Sequence, residues 1–226
     1  MRFQDAARDA RAVVYAGIQA DPVVARAATL LAGASLPERL MARAVMNGDG
    51  SQPGPWRRMF PAVFGGDAGT TPEHAGELLG VSLDVASRGE QARSQYRGAI
   101  VESLTASLLA RRLPAGSIHR ERRVLFDGVA AEIHPYDVTV ELPDRAEVYD
   151  CKWGARGINA EVLLQLALAA RHAADEQARL TPVLVVFDAR LSCQVRLARQ
   201  TGASGIRLVT IETLDALAGS RAASPT

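Results

Sequence analysis

Three side chains near the middle of the chain could do chemistry together. Asp137 lies in YDVTVEL, and Asp150 and Lys152 lie in VYDCKW; both runs read as strands, joined by a short turn. Successive strand residues point to opposite faces, so Asp150 and Lys152 share one face and Cys151 takes the other, toward the core. Adjacent strands lie roughly 5 Å apart, which puts Asp137 within reach of both. Two close carboxylates repel each other unless a cation lies between them. A hard divalent ion with oxygen ligands meets that need. Mg²⁺ is commonly held by one or two carboxylates and fills its shell with waters and substrate phosphates. A lysine beside it could orient or deprotonate an attacking water, or neutralise charge on a phosphorane.

The lysine stands out by count. Of 26 basic residues in the 226-residue chain, 25 are Arg and one is Lys. Arginine keeps its proton and spreads its charge over a planar fork, whereas lysine is a compact point charge whose proton affinity shifts on burial. The rest of the composition bounds the answer. With 48% apolar and 23% charged residues the chain can bury a core and is not disordered throughout. A net charge of +1 argues against a polycation-type binder but leaves local Arg patches open. Two separated cysteines, Cys151 and Cys193, suggest neither a disulfide framework nor a zinc site. No apolar run is long enough to span a membrane, and MRFQDAARDAR lacks a signal-peptide layout, so the cytoplasm is the expected location.

The elements that must position the three residues follow from periodicity. Residues 1–46 read as helical, with Asp21-Pro22 opening one helix. Glycine- and proline-rich turns cover 47–55 and 64–72. The stretch 71–91 reads as two helices turning at Leu78-Gly80-Val81-Ser82, similar to a helix-turn-helix or simply a linking pair. From 94 the order becomes regular. A helix (94–113) precedes three strands (117–126, 131–142 and 145–153) that predict an antiparallel meander. A long amphipathic helix (157–180), a buried strand (182–189), a helix ending at Gly202, a strand (206–212) and a closing helix complete it. The predicted class is α/β: a mixed central sheet flanked by helices, in the order α-β-β-β-α-β-α-β. An all-helical N-terminal region (1–91) precedes that second domain (92–226).

Asp137, followed after twelve residues by Asp150-Cys151-Lys152, resembles the PD-(D/E)xK nuclease superfamily, whose restriction-endonuclease-like core has the same element order. The likeness covers about residues 94–215. It implies metal-dependent cleavage of phosphodiester bonds, with Asp137 and Asp150 as Mg²⁺ ligands (Mn²⁺ a possible substitute), the Cys151 carbonyl completing the shell and Lys152 as the catalytic lysine. Many members carry a Glu on the preceding helix, and Glu102 matches it, flanked by the small residues Gly98, Ala99, Thr105 and Ala106. Some branches place a Gln on the following helix, matched by Gln165. The chain departs from the pattern at Pro135-Tyr136-Asp137, where the proline is one residue early, and at Ala169, where one branch has Tyr.

The implied activity is a nuclease acting on DNA, in restriction, phage defence or repair, with the N-terminal helices binding substrate, a second copy or a partner protein. Two alternatives remain: a nucleic-acid-binding or assembly module that keeps the fold without the chemistry, and an RNA-directed nuclease. Among the remaining residues, Arg111, Arg112, Arg120, Arg122 and Arg123 form the densest basic cluster, suited to tracking phosphates or simply solvated. His119 and His134 read as structural, Asp127 and Glu132 as solvated, and Trp153 as packed on the core. Asp188 reads as the cap of the helix that begins at Leu191.

Overall fold

The structure is a computed structural model that describes residues 1–6, 10–50, 52–65, 71–129, 134–200 and 205–219. The chain divides into two compact units, one of residues Asp9–Ser107 and one of Met1–Arg8 with Leu108–Thr226.

The second unit is an α/β unit built on a mixed six-stranded sheet in the order β1-β2-β3-β4-β5-β6. Its strands are β1 (Arg2–Asp5), β2 (Ile118–Leu125), β3 (Tyr136–Glu141), β4 (Ala146–Lys152), β5 (Leu180–Val186) and β6 (Arg207–Thr210). Strands β1 to β4 pair antiparallel, and β4, β5 and β6 run parallel. The meander β2-β3-β4 and the later parallel strands follow the order read from the sequence. The start of the second strand as predicted, including Glu132, lies outside the described residues.

Helix α8 (Ala160–Asp175) is capped by Asn159, whose Oδ1 accepts from Val162 N at 2.9 Å. It lays Leu163, Leu166, Ala169 and Ala173 against Val148, Leu184 and Val186 of the sheet. All seven are at most 1% exposed, and each fully buried aliphatic side chain of the larger kind contributes about 1.5–3 kcal/mol.

The N-terminus departs from expectation. Residues 1–46 are not all helical, because Arg2–Asp5 forms an edge strand paired with β2, Phe3 opposite Val124. Four mostly exposed residues with a single apolar side chain carry almost no strand signal. The partner strand supplies the reason they extend: Phe3 packs on the sheet's core cluster and Asp5 ion-pairs with Arg122 at 2.6 Å.

The helical unit contains α1 (Ala10–Gln19), α2 (Pro22–Gly33), α3 (Leu36–Asn47), α4 (Pro53–Met59), α5 (Pro61–Phe64), α6 (Pro72–Ala86) and nearly all of α7 (Glu90–Leu109). Asp21 caps α2 and Thr71 caps α6, both with Pro at the first helical position, as the sequence suggested. The helix-turn-helix reading fails, since α6 runs unbroken through Gly80. Its buried face (Ala75, Leu78, Leu79, Ser82, Val85) continues on both sides of that glycine. Burial of that face outweighs the ~1 kcal/mol propensity cost of one interior Gly.

The predicted boundary at 91/92 is also displaced. Helix α7 belongs with the helices, held by Tyr96 donating to Asp21 and Arg93 donating to Gly48 O at 2.8 Å. Arg97 adds a bond to Asn47 Oδ1 at 3.0 Å.

One polar network stitches the sheet unit's C-terminal end to β4. Arg112 donates to Glu147 at 3.0 Å, to Tyr149 Oη at 3.3 Å and to Leu217 O at 2.7 Å. Burial and the Glu147 carboxylate push the Tyr149 phenol far above its ordinary value, with Arg112 opposing. Arg112→Ala leaves Glu147, only 8% exposed, without its cation and with the Tyr149 hydroxyl as its remaining donor there, so a loss of about 3 kcal/mol is expected in denaturant unfolding.

Candidate functional site

Strand β3 enters the sheet at Tyr136, and in its pairing with β4 Val138 lies opposite Tyr149. Continuing that register sets Asp137 opposite Asp150. Asp137 does not simply stand on the sheet face. Its Oδ2 accepts a hydrogen bond from Cys151 N at 2.6 Å, so the carboxylate docks on the β4 main chain between Asp150 and Lys152. Asp150 is 8% exposed. Its buried Oδ1 is faced by the ammonium of Lys152, with which it forms an ion pair.

Burial works against the Lys152 charge, but Asp150 and Asp137 outweigh it and hold the ammonium above its ordinary value. The structure therefore brings Asp137, Asp150 and Lys152 together, and Lys152 is firmly protonated. In the metal-free site the ammonium thus acts as a hydrogen-bond donor and neutralises carboxylate charge.

The other predicted site residues fall differently. Cys151 is a buried thiol, 5% exposed. Gln165 on α8 is 8% exposed and donates from Nε2 to His134 O at 2.9 Å, which steadies the segment leading to Asp137. Glu102 belongs to the helical unit, where its carboxylate accepts from Tyr15 Oη and, at 2.8 Å, from Gln19 Nε2. Among the described residues, no group of three or more His, Cys, Asp and Glu side chains is gathered to hold a metal. Two carboxylates beside bound waters still meet the ordinary demand of Mg²⁺, which keeps several waters and takes few protein ligands.

Two positions around Lys152 go beyond what the sequence suggests. Asp188 does not cap the following helix α9 (Arg190–Leu197), whose first amide, Arg190 N, donates instead to Glu212 at 2.9 and 3.0 Å. Asp188, 6% exposed, turns back and accepts from Ala155 N at 2.9 Å. Gly157 lies in the 3₁₀ turn Ala155–Gly157 against the lysine stem. The glycine pair in W-G-A-R-G, directly after the lysine, was the available signal.

Trp153 stacks on Phe187, ring centroids 4.8 Å apart, as a core-packing residue would. His134 pairs at the surface with Glu161 at 3.2 Å. The basic cluster is partly spent internally: Arg112 serves Glu147, and Arg122 serves Asp5 and Glu141. Arg111 and Arg120 are exposed.

No family model and no curated protein matches the chain. Its structure is similar to the crystal structure of protein VC1899 from Vibrio cholerae, with 16% sequence identity and a TM-score of 0.45. That match covers 88% of this chain, which spans about half (55%) of the other. Among the described residues, no helix is long and apolar enough to cross a membrane.

Proposed function

We propose that the sheet unit is a metal-dependent phosphodiesterase acting on nucleic acid, with DNA as the expected substrate and a restriction-endonuclease-like core. The observation that carries this reading is the meeting of Asp137, Asp150 and Lys152 at the end of β4. Formally that cluster bears one net negative charge. A divalent ion converts it to one net positive charge, matched to the single negative charge of a phosphodiester.

Asp137 and Asp150 would hold the ion, Mg²⁺ or Mn²⁺. When bound, it supplies Lewis acidity toward the phosphate and lowers the pKa of a bound water. Lys152, protonated at Nζ, would donate a hydrogen bond to a phosphate oxygen. A water attacking in line would form the new phosphorus–oxygen bond and release a proton to solvent, while the bond to the leaving oxygen breaks and that oxygen takes up a proton from solvent. Cys151 N fixes the Asp137 carboxylate in place, so little reorganisation is needed when the phosphate arrives.

The test is incubation of plasmid with the full chain and Mg²⁺ or Mn²⁺, against an EDTA control. Nicking that needs the divalent ion supports the reading. Intact plasmid with every divalent ion, and intact single-stranded RNA in a parallel tube, overturns it.

A second reading has one observation in its favour. Glu102 is engaged within the helical unit by Tyr15 and Gln19, and among the described residues no group of three or more His, Cys, Asp and Glu side chains is gathered. A nucleic-acid-binding module that keeps this architecture without cleavage would show tight plasmid retention in a gel shift and no nicking.

A further inference from the structure

We propose that Asp188 and Gly157 are positioning residues that fix where the Lys152 ammonium sits. Strand β4 ends at Lys152, and a chain leaving a strand end is ordinarily free to wander. Here it is fastened at two points. Lys152 O accepts from Phe187 N at 2.8 Å, which extends the β4–β5 ladder past the end of β5. The Asp188 carboxylate bridges two main-chain amides, Ala155 N at 2.9 Å through Oδ2 and Ala189 N at 2.7 Å through Oδ1. Gly154 adopts φ +145, and a Cβ built there would lie 3.6 Å from Asp188 Oδ2. The peptide that carries the bonded amide thus passes close over the carboxylate.

The turn so fastened closes onto the lysine. A Cβ added at Gly157 would lie 2.9 Å from Lys152 Cβ and 3.0 Å from its Cγ and Cδ. Real Cβ atoms do not approach so closely, and the nearest atom is the lysine's own Cβ, not a flexible tip. The missing side chain at 157 is therefore what lets the turn wall in the stem. Asp150 holds the ammonium itself in an ion pair. Asp188 holds the wall, Gly157 makes it thin enough to reach the stem, and Asp150 takes the charged tip.

This assignment concerns the site of the proposed phosphodiesterase, and its catalytic consequence rests on that reading, but the position of Lys152 can be read without activity. Because the chain holds a single lysine, labelling with ¹⁵Nζ-lysine gives one side-chain resonance. In Gly157→Ala and in Asp188→Asn that resonance is expected to move from its wild-type position. The Mg²⁺-induced rise in melting temperature persists, because neither change removes a metal ligand. Nicking falls about 10- to 100-fold, the range that misplacement by an ångström can cost. On a Lys152→Gly background, which removes the Cβ as well as the rest of the stem, Gly157→Ala costs nicking nothing further, because it acts through the lysine.

A resonance that stays at its wild-type position in folded variants overturns the assignment. So does an equal loss of nicking from Gly157→Ala with or without Lys152, and so does global unfolding of Gly157→Ala, since the clash is argued to be local. Wild-type protein that nicks nothing while its variants still displace the resonance leaves the positioning intact and removes only the phosphodiesterase reading.

Discussion

Lys152→Ala is expected to bind Mg²⁺ or Mn²⁺ more tightly than the wild type while nicking plasmid about 10²–10³-fold more slowly. The two effects have one cause. In the resting site the ammonium already neutralises Asp150 and is felt by Asp137, so an arriving divalent ion must share those carboxylates with a like charge. Removing the lysine removes the competitor, and a gain of roughly tenfold in affinity is modest for a unit charge at such range. The rate falls because a preorganised donor aimed at developing negative charge is worth about 2.7–4 kcal/mol in comparable sites.

Stability gives a third handle on the same variant. Without metal, Asp150 is left buried beside Asp137 with no cation, so the apo variant melts below the wild type. Added Mg²⁺ raises its melting temperature more than the wild type's, because the ion now supplies the whole of the missing charge. Isothermal titration, a melting series and a nicking time course together test this. Weaker metal binding in Lys152→Ala would mean that the lysine merely buttresses the fold.

Asp150→Ala is expected to give the largest combined loss: nicking below detection, no Mg²⁺-induced stabilisation, and a stability decrease of about 3 kcal/mol. The stability term arises from the lysine. The Asp150 and Lys152 side chains are only 12% and 28% exposed, so truncating the acid leaves a poorly hydrated ammonium facing Asp137 alone. For a chain of this size that corresponds to a drop in melting temperature of about 6–12 °C.

The sign with pH is fixed. Lys152 is held above its unfolded value of 10.5 in the folded chain, so the lysine's contribution is complete through the neutral range and is lost as pH rises beyond that value. The deficit of Asp150→Ala should therefore be constant through the neutral range. A deficit that appeared only on one side of neutrality would point to a different group.

What was legible in the sequence was whatever recurs at the strand or helix period. Val138 and Val140 in β3, Leu184 and Val186 in β5, and Leu163, Leu166 and Ala169 in α8 announced buried faces, and all are buried. The i and i+2 spacing of Asp150 and Lys152, with one further acid a strand earlier, sufficed to expect the cluster. What the period cannot convey is where a side chain finds a main-chain partner. Asp137 reaches Cys151 N and Asp188 reaches Ala155 N across 14 and 33 residues, distances over which no local pattern exists.

The same limit explains Glu102. Its stripe of small neighbours did signal a close approach. Yet what comes close at Gly98 is Tyr15, whose Oη lies 3.1 Å from where a Cβ would be. Small residues report that something packs tightly without saying what. The four residues of β1 carried too little apolar character to outweigh the alanine-rich helix that follows them.

Strand β1 has a consequence for how the molecule is made. Phe3 meets Val124 only after the whole helical segment between them has left the ribosome. That segment is a compact helical unit, and helical units form fast, whereas closing a loop of that length is slow. During vectorial synthesis the first strand must therefore wait, unpaired, while an entire helical unit folds behind it. Its single apolar side chain suits that wait: a nascent edge of RFQD offers other chains little to aggregate with until β2 emerges to claim it.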